Sequence, residues 1–284
     1  MPHLAELAKK YQNKVTFIAL SDEKVDTVRP FFAKKNRYEG KTWGEAMAYT
    51  VATDPDQSVK KEIFSAAGQR GIPASFIISG GVVQWIGHPM SMDDPLEKVV
   101  AGTWNIEAAK AERAKKDAIN QLMSSFRPLL RDAEENGDWA PVFTAIDAGL
   151  EKHPGNLDLA FFKWQVLIFG AERYEEAYSY GDKVLELAWD DASMLNQVAW
   201  TTVDNSSIKT RDFNFAMKAA KRAVELSEEK DGAILDTLAR VYFETGNLEK
   251  AIQWQKKAVE NATGSMQEQL KEVLDKYVAE SKKK

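Results

Sequence analysis

The chain has 284 residues, 44% of them hydrophobic and 29% charged, with a formal net charge of −5 and no cysteine. That mildly acidic balance gives no reason to expect nucleic acid or an anionic membrane as partner. The lack of cysteine removes disulfides, thiolate nucleophiles and cysteine metal sites from the chain's own chemistry. No apolar run approaches the roughly 18 residues of a spanning helix, and "MPHLAELAKKYQNK" lacks the basic segment and apolar core of a signal peptide. The length suggests two domains.

The first hundred residues read as α/β. "PHLAELAKKY" sets Leu4, Leu7, Ala8 and Tyr11 on one helical face. "VTFIAL" (15–20) is a continuous β-branched and apolar run, which predicts a strand covered on both faces. "KVDTVRPFFAKK" returns to helical character, with Pro30 expected in its first turn or at a kink. "AYTVA" (48–52) alternates like a strand, and "DPDQSVKKEIFSAAG" predicts a capped helix ended by Gly68. "SFIIS" and "VVQWIG", separated by Gly80-Gly81, predict a tight antiparallel hairpin, because both glycines tolerate positive φ. "DDPLEKVVAG" closes the unit as a helix.

Directly before "SFIIS" stands Gly71-Ile72-Pro73, an awkward place for a residue that cannot donate to a sheet ladder. A plain loop with a trans proline is one reading. The element order, with "VTFIALSDE", "AAGQRGIPASFII" and "VVQWIGHP", resembles the TlpA-like redoxin group of thioredoxin-fold proteins over roughly residues 1–104. The resemblance implies a cis bond before Pro73. It implies that Gly71, Ile72 and Pro73 form the substrate-binding edge, with the Ile72 backbone pairing an extended peptide. Pro2 matches the proline that kinks the family's active-site helix. The family's Cys-x-x-Cys, and the strand leading into it, would then precede Met1, so this chain has no catalytic residue and an incomplete sheet. The strand absent from the resemblance would lie between those matching "VTFIAL" and "SFIIS". The sheet is expected either to close that gap or to leave open edges prone to self-association.

From Trp104 onward nothing alternates like a strand. "NIEAAKAERAKKDAINQLMSSF" predicts a linker helix (105–127), and a helical domain follows over 128–284. A pattern recurs there about every 35 to 40 residues, the range of helical-hairpin repeats. "AILDTLARVYFETGNLEKAIQWQKKAVE" (233–260) closely resembles a tetratricopeptide repeat. Leu235, Leu238, Ala239 and Tyr242 line its first helix, Gly246 sits at the turn, and Ala251 and Ala258 lie on the second. Small residues are needed where the two helices approach. A second copy pairs "LNQVAWTTVD" with "FNFAMKAAKRAVEL" across a long "NSSIKTRD" loop. "LAFFKWQVLIFGAERYEEAYSYGDKVLEL" and "GDWAPVFTAIDAGLEKHPG" are weaker copies, and "SMQEQLKEVLDKYVAESKKK" is polar enough to cap the array. An all-α bundle without true repeats is the alternative.

No constellation carries metal, cofactor or hydrolytic chemistry. His3, His88 and His153 share no metal-ligand spacing, and neither a phosphate loop nor a G-x-S-x-G elbow is present. Asp22, Glu23, Asp54 and Asp56 stand where helix caps belong. The fold expectation is therefore an incomplete thioredoxin-like α/β domain followed by an all-α repeat domain. The resemblance implies an extracytoplasmic, periplasmic-type thiol-disulfide oxidoreductase with a protein-recruiting array, here unable to supply the thiolate. A peroxiredoxin-like enzyme fits less well and also needs a cysteine. The alternative is a non-catalytic module that binds peptides or helices of protein partners.

Overall fold

The computed structural model describes residues 2–36, 40–69 and 71–283. The chain divides into two units, Met1–Lys116 and Asp117–Lys284. The division falls inside helix α5 (Ile106–Ser125).

In the first unit, helix α1 (Pro2–Lys10) carries Leu4 and Leu7 to a small core with Tyr11, Ile77, Met92 and Leu96. Helix α4 (Asp93–Ala101) is tied to α1 at both ends: His3 Nε2 lies 2.8 Å from Asp93 Oδ1, and Lys10 Nζ lies 3.4 Å from Glu97 Oε2. Strand β1 (Ile18–Ser21) pairs in parallel with β2 (Thr50–Thr53), Ile18 opposite Thr50. Their crossover holds α2 (Val25–Phe32) and α3 (Trp43–Ala46), the latter opened by a capping box between Thr42 and Glu45. Strands β3 (Ser75–Ser79) and β4 (Val82–Gly87) form an antiparallel hairpin whose turn glycines, Gly80 and Gly81, have φ of 59° and 75°. The ladder shifts register between Ile77 and Ile78. The two pairs are separate sheets: among the described residues no ladder joins β1 to β3.

Several sequence expectations are corrected. The run 15–20 is not a strand buried on both faces; β1 starts at Ile18, and Ile18 and Leu20 are 61% and 46% exposed. Val15 and Phe17, ahead of the strand, make the core contact instead. The second strand is Thr50–Thr53 rather than 48–52. Pro30 lies inside α2 rather than in its first turn, which leaves the other expected place, a kink, open to it. Asp22 and Glu23 do not cap α2, whose N-cap is Lys24; Asp22 instead pairs with Lys60 at 2.8 Å. Asp54 does act as a cap: its carboxylate accepts from the backbone N–H of Val59 at 3.2 Å and of Lys60 at 2.8 Å. The helix it opens widens to a π-helical stretch over Lys60–Ser65.

Among the described residues every element of the second unit is a helix. Its core runs without a break from Ile119 to Leu270. After α6 (Arg127–Asn136) and α7 (Ala140–Lys152) come three hairpins: α8 (Leu157–Gln165) with α9 (Tyr174–Leu187), α10 (Ala192–Asp204) with α11 (Phe213–Leu226), and α12 (Gly232–Glu244) with α13 (Leu248–Glu260). Helix α14 (Gly264–Ser281) packs on α13. Asparagine and aspartate start most of these helices. Asn156, Asp191, Asp212, Asp231 and Asn247 each accept a backbone N–H from the first turn of α8, α10, α11, α12 and α13. Each such cap contributes about 0.5–2 kcal/mol. The sequence therefore resets the helix start at nearly every turn of the array.

Close helix approach follows from small side chains. Ala216, Ala219, Ala220 and Ala223 of α11 are fully buried. A Cβ added at Gly181 of α9 would lie 2.7 Å from the Phe215 ring, which itself packs 6.2 Å from the buried Trp164. The long loop between α10 and α11 is packed rather than loose: Ile208 is buried in it, and the Tyr178 hydroxyl donates to the Thr210 carbonyl at 2.9 Å.

Candidate interaction site in the helical array

The sequence-predicted residues fall into two groups. Gly71, Ile72 and Pro73 form the approach to β3; the Ile72–Pro73 bond is cis, and Ile72 is 88% exposed. In the last hairpin Leu238, Ala239, Ala251 and Ala258 are buried, Tyr242 is half-buried, and Gly246 turns the chain at φ 79°. These residues build the hairpin.

What faces outward is set by helical periodicity. On α12 the buried stripe is Leu235, Leu238, Ala239 and Val241; Asp236, Arg240, Phe243 and Glu244 follow along an adjoining half-buried face at i, i+4, i+7 and i+8, where Asp236 is covered by Gln255 of α13 and Phe243 by Tyr277 of α14. On α10, with Leu195, Val198, Ala199 and Val203 inward, the same spacing leaves Asn196, Trp200 and Asp204. The two stripes are joined in space. Arg240 bridges them, with its guanidinium 3.2 Å from Asp204 Oδ1 and 3.0 Å from Glu244 Oε1. Its positive charge also lies over the Phe243 ring, 5.7 Å from the centroid. Trp200, at 39% exposed, is the large apolar surface on this face of α10.

Packing behind the two stripes and the ion pairs between them make this arrangement a platform. It offers an exposed indole and a guanidinium held between the carboxylates of Asp204 and Glu244, while the Asp236 carboxyl is turned to Gln255 of α13. Among the described residues no group of histidines, aspartates or glutamates is placed to hold a metal ion. His88 is used locally, its ring accepting the Met90 N–H at 3.2 Å to start a short 3₁₀ turn. No described helix is long and apolar enough to cross a membrane.

Comparison with known proteins comes to the following. No protein-family model matches the chain, and no curated relative does. Among solved structures, the chain is similar to one described as "Crystal structure of MamA protein", at 17% identity and a TM-score of 0.36, covering 58% of this chain and 90% of that one. A second, "Crystal structure of MamA", has 16% identity and a TM-score of 0.35, covering 54% of this chain and 94% of that one.

The platform was not legible beforehand. None of Asp204, Asp236, Arg240 and Glu244 stands out in the sequence, where a charge on one helix looks the same whether or not another helix lies beside it. The usable signal was an aromatic and a charge one helical turn apart on the first helix of two successive hairpins: Trp200 with Asp204 four residues on, and Arg240 with Phe243 three residues on.

Proposed function

We propose that the chain is a non-catalytic protein-interaction module that holds a peptide or helix of a protein partner on the face built by α10 and α12. The observation that carries this reading is the cross-helix unit of Trp200, Asp204 and Arg240, fixed by the 3.2 Å ion pair and the buried stripes behind it. Exposed aromatic and arginine side chains on a rigid scaffold are the residue types that dominate binding energy at protein interfaces. Small residues allow the hairpins to stack as a tetratricopeptide-like array, and such arrays work by presenting an extended surface.

Peptides selected by display on the full chain test this. Trp200→Ala should weaken their binding by about tenfold or more, the equivalent of about 1.4 kcal/mol. Trp189→Ala is the control: Trp189 is equally exposed but lies at the turn after α9, its ring under the Arg222 guanidinium at 5.2 Å. Equal affinity for wild type and Trp200→Ala would contradict the proposal, provided the melting curve is unchanged.

A second reading concerns the first unit. Its parallel β1–β2 pair, β3–β4 hairpin and closing α4 support a thioredoxin-like frame. With no cysteine in the chain, no thiol-disulfide step is assigned to it. On this reading Gly71, Ile72 and Pro73 would serve as a peptide-facing edge, and the unpaired strand edges as a route to self-association.

A further inference from the structure

Gln255 of α13 is completely buried. Its Nε2 donates to Asp236 Oδ1 on α12 at 2.7 Å and to the Leu270 carbonyl on α14 at 3.2 Å. One amide thus ties three helices together. Its Oε1 is equally buried and has no donor. Exchanging the amide oxygen and nitrogen would not help, because it would set an acceptor against two acceptors. A buried acceptor left unmade is costly, at about 1–3 kcal/mol.

The orphan oxygen shares its carbon with the nitrogen that already faces the Asp236 carboxyl. A carboxyl group and a primary amide set against each other form two reciprocal hydrogen bonds when the carboxyl carries its proton. Nε2–H then donates to Oδ1, and the Asp236 hydroxyl donates to Oε1. The surrounding charges leave room for this. Arg240, one turn along α12, is committed to Asp204 of α10 and to Glu244. Tyr277 of α14 stacks on Phe243 with ring centroids 4.3 Å apart, and burial pushes its hydroxyl up to about 12, so it stays neutral. Burial also holds the Asp236 carboxyl above the usual range; the Gln255 hydrogen bond and Arg240 pull it down, and the Asp204 charge pushes it up.

We propose that Asp236 keeps its proton in the folded chain under mildly acidic conditions and forms a reciprocal acid–amide pair with Gln255, a proton-dependent latch that holds α14 on the last hairpin. The sign follows from linkage. The unfolded chain ionises Asp236 in the ordinary carboxylate range, whereas the folded chain holds the proton to higher pH. The stabilisation is therefore full below the ordinary range and is lost as pH rises from there through the folded carboxyl's midpoint.

The test uses the full chain and Asp236→Asn, because asparagine makes both hydrogen bonds at every pH. The variant should melt about 2–4 °C above wild type at pH 8, with the gap closing by pH 4. In a Gln255→Met background, which removes the partner amide, the gain from Asp236→Asn should vanish. Carbon-detected NMR should place the Asp236 carboxyl midpoint above the ordinary range. Equal or lower melting of Asp236→Asn throughout, a gain that persists in Gln255→Met, or an ordinary carboxyl midpoint would each overturn the latch.

Discussion

Ala251 and Ala258 set how closely α13 approaches its neighbours, and both are fully buried. At Gly232 the spacing is tighter still: an added Cβ would lie 2.9 Å from the Ala258 carbonyl oxygen. Ala251→Leu would force several extra heavy atoms into that packed contact and should cost about 1–3 kcal/mol. A thermal melt checks this; an unchanged transition would mean that the hairpin does not depend on the small side chain. These positions were legible in the sequence because they repeat with the period of the array, and the period is imposed by packing. Trp200 and Arg240 were not. Nothing in a single helix distinguishes a solvated charge from one that bridges to the next hairpin. The Arg240–Asp204 pair joins residues 36 positions apart in number and exists only once α10 and α12 lie side by side.

Among elements, β1 and β3 stand apart from the rest. Among the described residues each has one partner strand and an edge without one, and large apolar side chains on them are exposed: Ile18 and Leu20 on β1, Ile78 on β3. Unpaired apolar edges template another strand. Amides of Ile18–Ser21 and Ser75–Ser79 should exchange faster than those of α10 to α13, and the chain should self-associate as concentration rises. Leu20→Lys, which places a charge on the β1 edge, should suppress that association in sedimentation velocity. Slow exchange throughout both strands in a strict monomer would show that the edges are satisfied. The strands themselves were read correctly as extended segments, but their boundaries and covering were not. "VTFIAL" has the composition of a doubly buried strand, yet its burial depends on what lies beside it, and that information is not local to the run.

For the whole molecule, two units of different character share one chain. The second has an unbroken core from Ile119 to Leu270, whereas the core of the first is a handful of residues around Leu7, Ile77 and Leu96. The helical unit is therefore the part able to hold a surface in fixed geometry, and partner binding is proposed there. The most direct measurement is the hydrogen-exchange footprint of a display-selected peptide on the full chain. Binding on the α10–α12 face predicts added protection in Ala192–Asp204 and Gly232–Glu244, with little change in α11 and α13. Protection confined to residues 71–79 of the first unit, with none on α10 and α12, would contradict it.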